Sequence, residues 1–314
     1  MKLLPLLLMG AAAAGAAAAQ DLPSAAERAA LVRVAGSVLR VEAPSTDGTL
    51  AVGSAVTVAN ERVVTNCHVT RNARAVFVIR GGVRWEAQAQ AADVDRDLCL
   101  LHVHGLVSPP VPIGTAETLT VGERVAALGY TGGAMLQRSL GGVVDLHRHD
   151  GARVIKSSSW FSSGASGGGL FDRGGALVGI LTFRLRGGDA HWFAAPVEWL
   201  RPLLDAPAPP LAPLDTNRQP YWQRQPAQQP RFLRAAVMQR DSAWSELMDL
   251  AREWLADDDT DPEPWQLLGT ALDRLGRAAD ALQAADCARR LARSAFAQGA
   301  GKTPAASACT LVHR

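Results

Sequence analysis

Beyond its first residues the chain has no apolar run of about 18 residues, the length a membrane-spanning helix needs. No membrane span is therefore expected once the N-terminal segment is removed. Net charge is also small, because 32 Lys and Arg face 30 Asp and Glu. That balance excludes the basic surface of a nucleic-acid binder and gives no attraction to an acidic membrane. Cysteine is scarce, with only Cys67, Cys99, Cys287 and Cys309 present. Cys67 adjoins His68, but no C-x-x-C or H-x-x-x-H pair completes a four-ligand set, so no metal and no other cofactor is expected. Gly-Lys-Ser/Thr is missing after the glycine-rich run at 162–175, which excludes a phosphate-binding loop there.

What is present begins with "MKLLPLLLMGAAAAGAAAAQ". Lys2 supplies a positive start, Leu3 to Ala16 a short apolar stretch, and Ala17 and Ala19 the small residues a signal peptidase needs. We read residues 1–19 as a signal peptide cleaved near Ala19/Gln20, and the mature protein as periplasmic or secreted. An even number of cysteines in an exported chain suggests two disulfides.

Residues 20–204 are mostly short β-type runs separated by turn residues, such as "AVGSAVTVA" (51–59), "DLCLLHV" (97–103) and "ALVGILTF" (176–183). Many short strands at this spacing suggest an all-β barrel or sandwich. Residues 205–230 are rich in Pro and Gln and read as a linker and a convenient cut point. Residues 231–297 turn to Ala, Leu and Arg with helical spacing, and 298–314 look like a loose tail.

"SSGASGGGLFDRGG" (162–175) separates two apolar runs. Upstream, "VVTNCHV" ends a strand at His68, and "DRDLCLL" opens another at Asp97. The order His68, Asp97, Ser166 is that of a base–carboxylate–nucleophile triad of the chymotrypsin type. A serine hydroxyl needs an adjacent base, and imidazole titrates near working pH. A carboxylate on the far ring nitrogen fixes the tautomer. The oxyanion of the tetrahedral intermediate needs two converging amides, here assigned to Gly164 and Ser166, and glycine leaves them room. Asp93 and Asp95 are alternatives to Asp97, while Ser162 and Ser163 lack flanking glycines. His102 and His104 share strand spacing, and His147, His149, His191 and His313 have no motif around them.

With these landmarks in order across "GSAVTVANERVVTNCHV", "DRDLCLL", "PIGTAETLTVGERVAALGY", "GASGGGLFDRGGALVGI" and "FAAPVEWL", the chain resembles the trypsin/chymotrypsin superfamily, near its bacterial Deg/HtrA branch. The resemblance implies a mainly β fold of two six-stranded antiparallel barrels, with the triad in the cleft between them. It implies an endopeptidase that cleaves polypeptide substrates through an acyl-enzyme. Ala165 stands where the family carries Asp or Asn, and Gly169 where it carries Pro. No PDZ module is recognisable after residue 205.

If the triad assembles, Cys67 and Cys99 come close enough to bridge, and Cys287–Cys309 is the remaining pair. The resemblance also places Trp160 at the base of the pocket for the side chain preceding the cleaved bond, and Thr182, Phe183 and Arg184 along its wall. Without a carboxylate at the base, Lys or Arg would enter unpaired. Trp160 is expected to shorten the pocket for small or aliphatic side chains. The alternatives are that it points into the barrel core, or that Arg184 selects acidic side chains.

The segment "WQLLGTALDRLGRAADALQAADCA" resembles a tetratricopeptide repeat at Trp265, Leu268, Gly269, Ala281 and Ala288, and departs from it at Leu272, Ala285 and Arg293. It is either a cap on the barrels or a module for a protein partner. Three functions stay open: an active endopeptidase, a protease-fold pseudoenzyme, and a helical adaptor. Every catalytic group is expected before residue 170.

Overall fold

The computed structural model describes residues 22–185, 187, 191–215, 217–299 and 309. Residues 1–19, where a signal peptide is expected, and most of the tail fall outside the described residues. Helix α1 (Ala25–Ala35) starts on a capping box. The Glu27 amide donates to Ser24 Oγ at 3.1 Å, and the Ser24 amide donates to the Glu27 carboxylate at 2.6 Å. That carboxylate also pairs with Arg124 and Arg173, which fastens the helix to the second β unit.

Seven strands form the first unit: β1 (Val38–Pro44), β2 (Leu50–Ala59), β3 (Arg62–Thr65), β4 (Phe77–Arg80), β5 (Val83–Glu86), β6 (Ala89–Asp93) and β7 (Leu98–His102). A short helix, α2 (Cys67–Thr70), follows β3. The strands run β5-β4-β1-β2-β3-β7-β6 as one antiparallel sheet, a half-barrel instead of the six-stranded closed barrel expected. The reason lies at residues 87–88. The Ala87 amide bonds Val76 on the β4 side, and the Gln88 amide bonds His102 on the β7 side. The chain thus crosses from one edge of the sheet to the other without pairing β5 to β6.

The second unit is a closed six-stranded barrel. Its strands are β8 (Arg124–Gly129), β9 (Gln137–His149), β10 (Ala152–Ser157), β11 (Gly169–Phe171), β12 (Leu177–Leu185) and β13 (His191–Pro196). Each unit has its own buried aliphatic centre, around Leu39, Val41 and Leu101 in the first and Ile155, Leu170 and Leu181 in the second. A third apolar cluster runs between the units and on into the C-terminal helices.

Residues 205–230 differ from the spacer expected. After α3 (Arg201–Asp205) the chain lies along the open edge of β6. The Gln90 amide donates to Pro209, the Leu211 amide to Gln88, and Gln90 Nε2 to Ala212. An exposed sheet edge needs such cover, and proline suits an edge position because it has no amide to donate. Further on, the Tyr221 amide donates to the Asp95 carbonyl at 3.0 Å, and Arg218 and Arg224 pair with the Asp95 carboxylate. Tyr221 itself is buried.

Among the described residues four helices follow: α4 (Arg231–Arg240), α5 (Trp244–Asp257), α6 (Pro262–Arg274) and α7 (Ala278–Gly299). Close approach of α6 and α7 depends on Gly269, where a Cβ would come within 3.3 Å of the Ala281 carbonyl. Apolar residues of α4, α5 and α6 join the cluster that contains Phe183 and Phe193.

His147 on β9 and Glu263 on α6 form a buried polar fastening between barrel and helices. Nδ1 lies 2.7 Å from Oε1, and the Phe232 ring stacks on the imidazole at 4.7 Å. Burial works against an imidazolium here, but the adjacent carboxylate prevails and raises the His147 pKa above its ordinary value. Burial likewise raises that of Glu263. Glu263→Ala would strand His147 without its partner, which costs about 3 kcal/mol when a buried pair is broken. A lowered urea midpoint is the expected result, and an unchanged midpoint would show that the pair fastens nothing.

Candidate active site

Strand β3 delivers His68 to the space between the two units. The β3–β7 register pairs Thr65 with Cys99, so the residues just beyond each strand meet. A disulfide joins Cys67 to Cys99 across a Cα separation of 5.0 Å. It ties the segment bearing His68 to the strand that Asp97 precedes. Converting both residues to serine should lower stability by about 2–4 kcal/mol. Urea unfolding of that double variant tests this, and wild-type stability would show that the bond holds nothing together.

Asp97 sits at φ +61°, in the left-handed region. Single residues in that region persist only where neighbours fix them. Here the Cys67 amide and Asn66 Nδ2 both bond the Asp97 carbonyl, at 3.3 and 2.9 Å. This backbone aims the carboxylate, only 1% exposed, at the histidine. Oδ1 accepts the His68 amide at 2.8 Å, and Oδ2 lies 2.6 Å from His68 Nδ1. Oδ2 also accepts from Trp222 Nε1 at 3.1 Å. A proton on Nδ1 leaves Nε2 free as a base, the tautomer that general-base chemistry requires.

Ser166 is half-buried on the loop before β11. Its Oγ lies 3.4 Å from the Thr182 carbonyl, and among the described residues no hydrogen bond joins it to the His68 ring. A serine hydroxyl swings about a single torsion, and catalytic hydrogen bonds tighten with substrate in place. The loop around it is held from across the cleft by Ser54 of β2. The Ser54 amide donates to the Ser166 carbonyl, and Ser54 Oγ donates to the Gly164 carbonyl, each at 2.8 Å.

The amides of this loop divide into two sets. Those of Ala165, Gly167 and Gly168 donate to the carbonyls of Ser162, Leu181 and Ala165. Those of Gly164 and Ser166 have no protein acceptor among the described residues. Unpaired donors flanking a serine are what an oxyanion needs. Gly164 adopts φ +91°, and a Cβ there would lie 2.5 Å from the Tyr130 carbonyl. Only glycine permits this approach.

The residues expected around the substrate pocket differ in exposure. Trp160 is 48% exposed, so it neither closes a buried base nor points into the core, and the neighbouring Phe161 is the buried residue. Thr182 is buried, and its hydroxyl donates to the Ile180 carbonyl. Phe183 is buried between Phe193 and Trp222 at centroid distances of 4.8 and 5.0 Å. Arg184 is exposed. Cys287 and Cys309 carry free thiols, which corrects the expected second disulfide. The Cys287 sulfur accepts from Arg290 at 3.3 Å and makes a hydrogen-bonding contact with the Cys309 thiol. Burial, then that contact, pushes the Cys309 pKa up to about 11.

Ser54, Asn66 and Trp222 were not found from sequence. Ser54 gave a faint signal as a polar residue inside an apolar strand, and Asn66 as the residue before Cys67–His68. The Tyr221–Trp222 pair was the only aromatic feature of a Pro/Gln-rich segment.

Comparison with known proteins agrees with this layout. The family described as trypsin-like peptidase domain matches residues 53–180. Protease Do-like 1 from Arabidopsis thaliana chloroplasts is 30% identical over 131 residues, covering 38% of this chain and 30% of the relative. The putative serine protease HhoA of Synechocystis is 28% identical over 147 residues, covering 43% and 37%. The chain thus spans about a third of the length of these curated relatives. Among solved structures, the active form of the Rv3671c protease from M. tuberculosis superposes with a TM-score of 0.54 at 23% identity, over 58% of this chain and 86% of that one. The fold is trypsin-like and mainly β, followed by helices. Among the described residues no helix is long and apolar enough to cross a membrane.

Proposed function

We propose that the chain is an exported serine endopeptidase that hydrolyses peptide bonds through an acyl-enzyme. The single observation that carries this reading is the Asp97–His68 hydrogen bond of 2.6 Å, set beside a serine loop whose Gly164 and Ser166 amides are unpaired. His68 Nε2 takes the Ser166 proton as Oγ attacks the substrate carbonyl. Asp97 holds the ring and stabilises the imidazolium. The two amides receive the oxyanion, and His68 then returns the proton to the leaving amine. Water repeats the sequence to release the acyl group. The triad and the relatives' names support the reading jointly. Export is supported by the sequence of residues 1–19 and by a disulfide that suits an oxidising compartment.

The C-terminal helices act in this reading as a cap related to the tetratricopeptide repeat. Support for a cap over a partner module comes from the apolar cluster they share with the barrel and from the His147–Glu263 contact. The pseudoenzyme and adaptor readings find no specific support in the geometry. Reaction with a fluorophosphonate, followed by mass spectrometry, tests the proposal. Phosphonylation of Ser166, with cleavage of an unfolded protein substrate, is the expected result. A folded protein that resists the reagent at every pH tried would overturn it.

A further inference from the structure

Trp222 lies 56 residues beyond Ser166 in the sequence, outside the matched domain, yet it touches two members of the triad. Its Nε1 donates to Asp97 Oδ2 at 3.1 Å. Its ring meets the His68 imidazole edge-on, with centroids 5.6 Å apart and planes at 83°. The ring also stacks in parallel on Phe183 at 5.0 Å. We propose that Trp222 is a positioning residue for the catalytic histidine and aspartate, so that the segment after the protease barrels is part of the catalytic apparatus.

The chemistry of the carboxylate motivates this. Asp97 is almost wholly removed from water and must remain an acceptor whose two oxygens face fixed directions. The His68 amide fixes Oδ1, but Oδ2 would have only the His68 ring, the very group it has to orient. A second donor on Oδ2 from a rigid partner removes that circularity. Thr182 cannot supply it, because its hydroxyl proton goes to the Ile180 carbonyl. Trp222 can, since indole is donor-only and cannot reverse the bond. The ring also covers the carboxylate, keeping water from competing for Nδ1.

The anchoring of Trp222 is as strong as its contacts are specific. On one side Tyr221 is buried, and its amide bonds the Asp95 carbonyl two residues before Asp97. Arg218 and Arg224 bracket Trp222 in sequence and converge on the Asp95 carboxylate. On the other side Gln229 Nε2 donates to the Trp222 and Arg224 carbonyls at 3.1 and 2.9 Å, just before α4 begins. The loop carrying Asp95 and Asp97 and the segment carrying Trp222 are therefore clamped to each other. A chain ending near Leu204 keeps His68, Asp97 and Ser166 but lacks this entire arrangement.

The inference rests on the serine endopeptidase reading, and its test separates the two. Full-length wild type, Trp222→Phe and Trp222→Ala are compared by the second-order rate of reaction with diisopropyl fluorophosphate. That probe is too small to need extended subsites. Steady-state kcat and KM on one peptide ester and a urea midpoint complete the set. Phe keeps the stack on Phe183 and the edge on His68 and deletes only the donor. We expect Trp222→Phe to slow phosphorylation by this reagent and lower kcat by about tenfold, with KM within about twofold, as for loss of one hydrogen bond to a charged group. The Ala variant should lose more. A merely structural role would lower the urea midpoint yet leave the rate per titrated active site at its wild-type value, which would overturn the proposal. So would faster reaction of Trp222→Ala, which would mean that the indole obstructs the cleft. If Trp222→Ala does not fold, Trp222→Phe decides alone. Failure of the wild type itself to react would count against the endopeptidase reading instead.

Discussion

Ser166→Ala should keep its fold and lose hydrolysis of unfolded protein substrates by at least about 10⁴-fold in kcat, as loss of a triad member does. The two halves of that expectation come from different atoms. Among the described residues Ser166 Oγ has one hydrogen-bond partner, the Thr182 carbonyl at a long 3.4 Å, so removing it strands no strong partner. The backbone bond from the Ser54 amide to the Ser166 carbonyl survives the substitution, and with it the shape of the loop. Stability should shift by less than about 1 kcal/mol. The chemistry has no substitute for the hydroxyl, because Ser162 and Ser163 both precede the unpaired amide of Gly164 and neither adjoins the unpaired amide of Ser166. Calorimetry with fluorophosphonate labelling checks both halves. Wild-type labelling by the variant would move the nucleophile elsewhere in the chain.

The sequence carried the parts of the site that sit on short, patterned segments. His68 and Asp97 each adjoin an apolar strand, and the β3–β7 register is what brings them within 2.6 Å. The helices from α4 onward were visible in their apolar spacing, and the last strands in the runs before the change of composition. Four things were hidden, each for a physical reason. The first β unit stays open because its edge strands β5 and β6 do not pair, and no side-chain pattern encodes that. Proline and glutamine made residues 205–230 look free, yet proline is suited to covering the bare edge of β6. The resemblance places Trp160 by its position along the chain, which does not fix the way a loop side chain turns. Half its surface faces solvent. Trp222 was the costliest omission, since a contact across 125 residues leaves no periodic trace.

Gly167→Ala should abolish labelling nearly as completely as loss of the nucleophile, although it adds one methyl group and touches no catalytic atom. Gly167 lies at φ +86°, where an L side chain is strained. Its Cβ would come within 2.1 Å of the Ser54 carbonyl and 2.4 Å of Thr65 Oγ1. Neither neighbour can retreat, since Thr65 Oγ1 donates to that same Ser54 carbonyl at 2.7 Å and both residues lie in paired strands. The loop must move instead. It carries the Ser166 amide next to the substituted residue, and the Gly167 amide loses its 2.8 Å bond to Leu181 as it shifts. Displacing one oxyanion donor alone costs about 10²–10³-fold in rate, and the serine moves with it. The clash and the positive φ together should also lower stability by about 2–3 kcal/mol. Gly174→Ala in the same stretch serves as the control, since Gly174 does not adopt a positive φ and its Cβ would meet only Asp172 Oδ1, at 3.4 Å. That variant should label at close to the wild-type rate. Equal labelling of the Gly167 and Gly174 variants would mean that the loop tolerates a side chain beside the nucleophile, and that its glycines are not what keeps the two amides open.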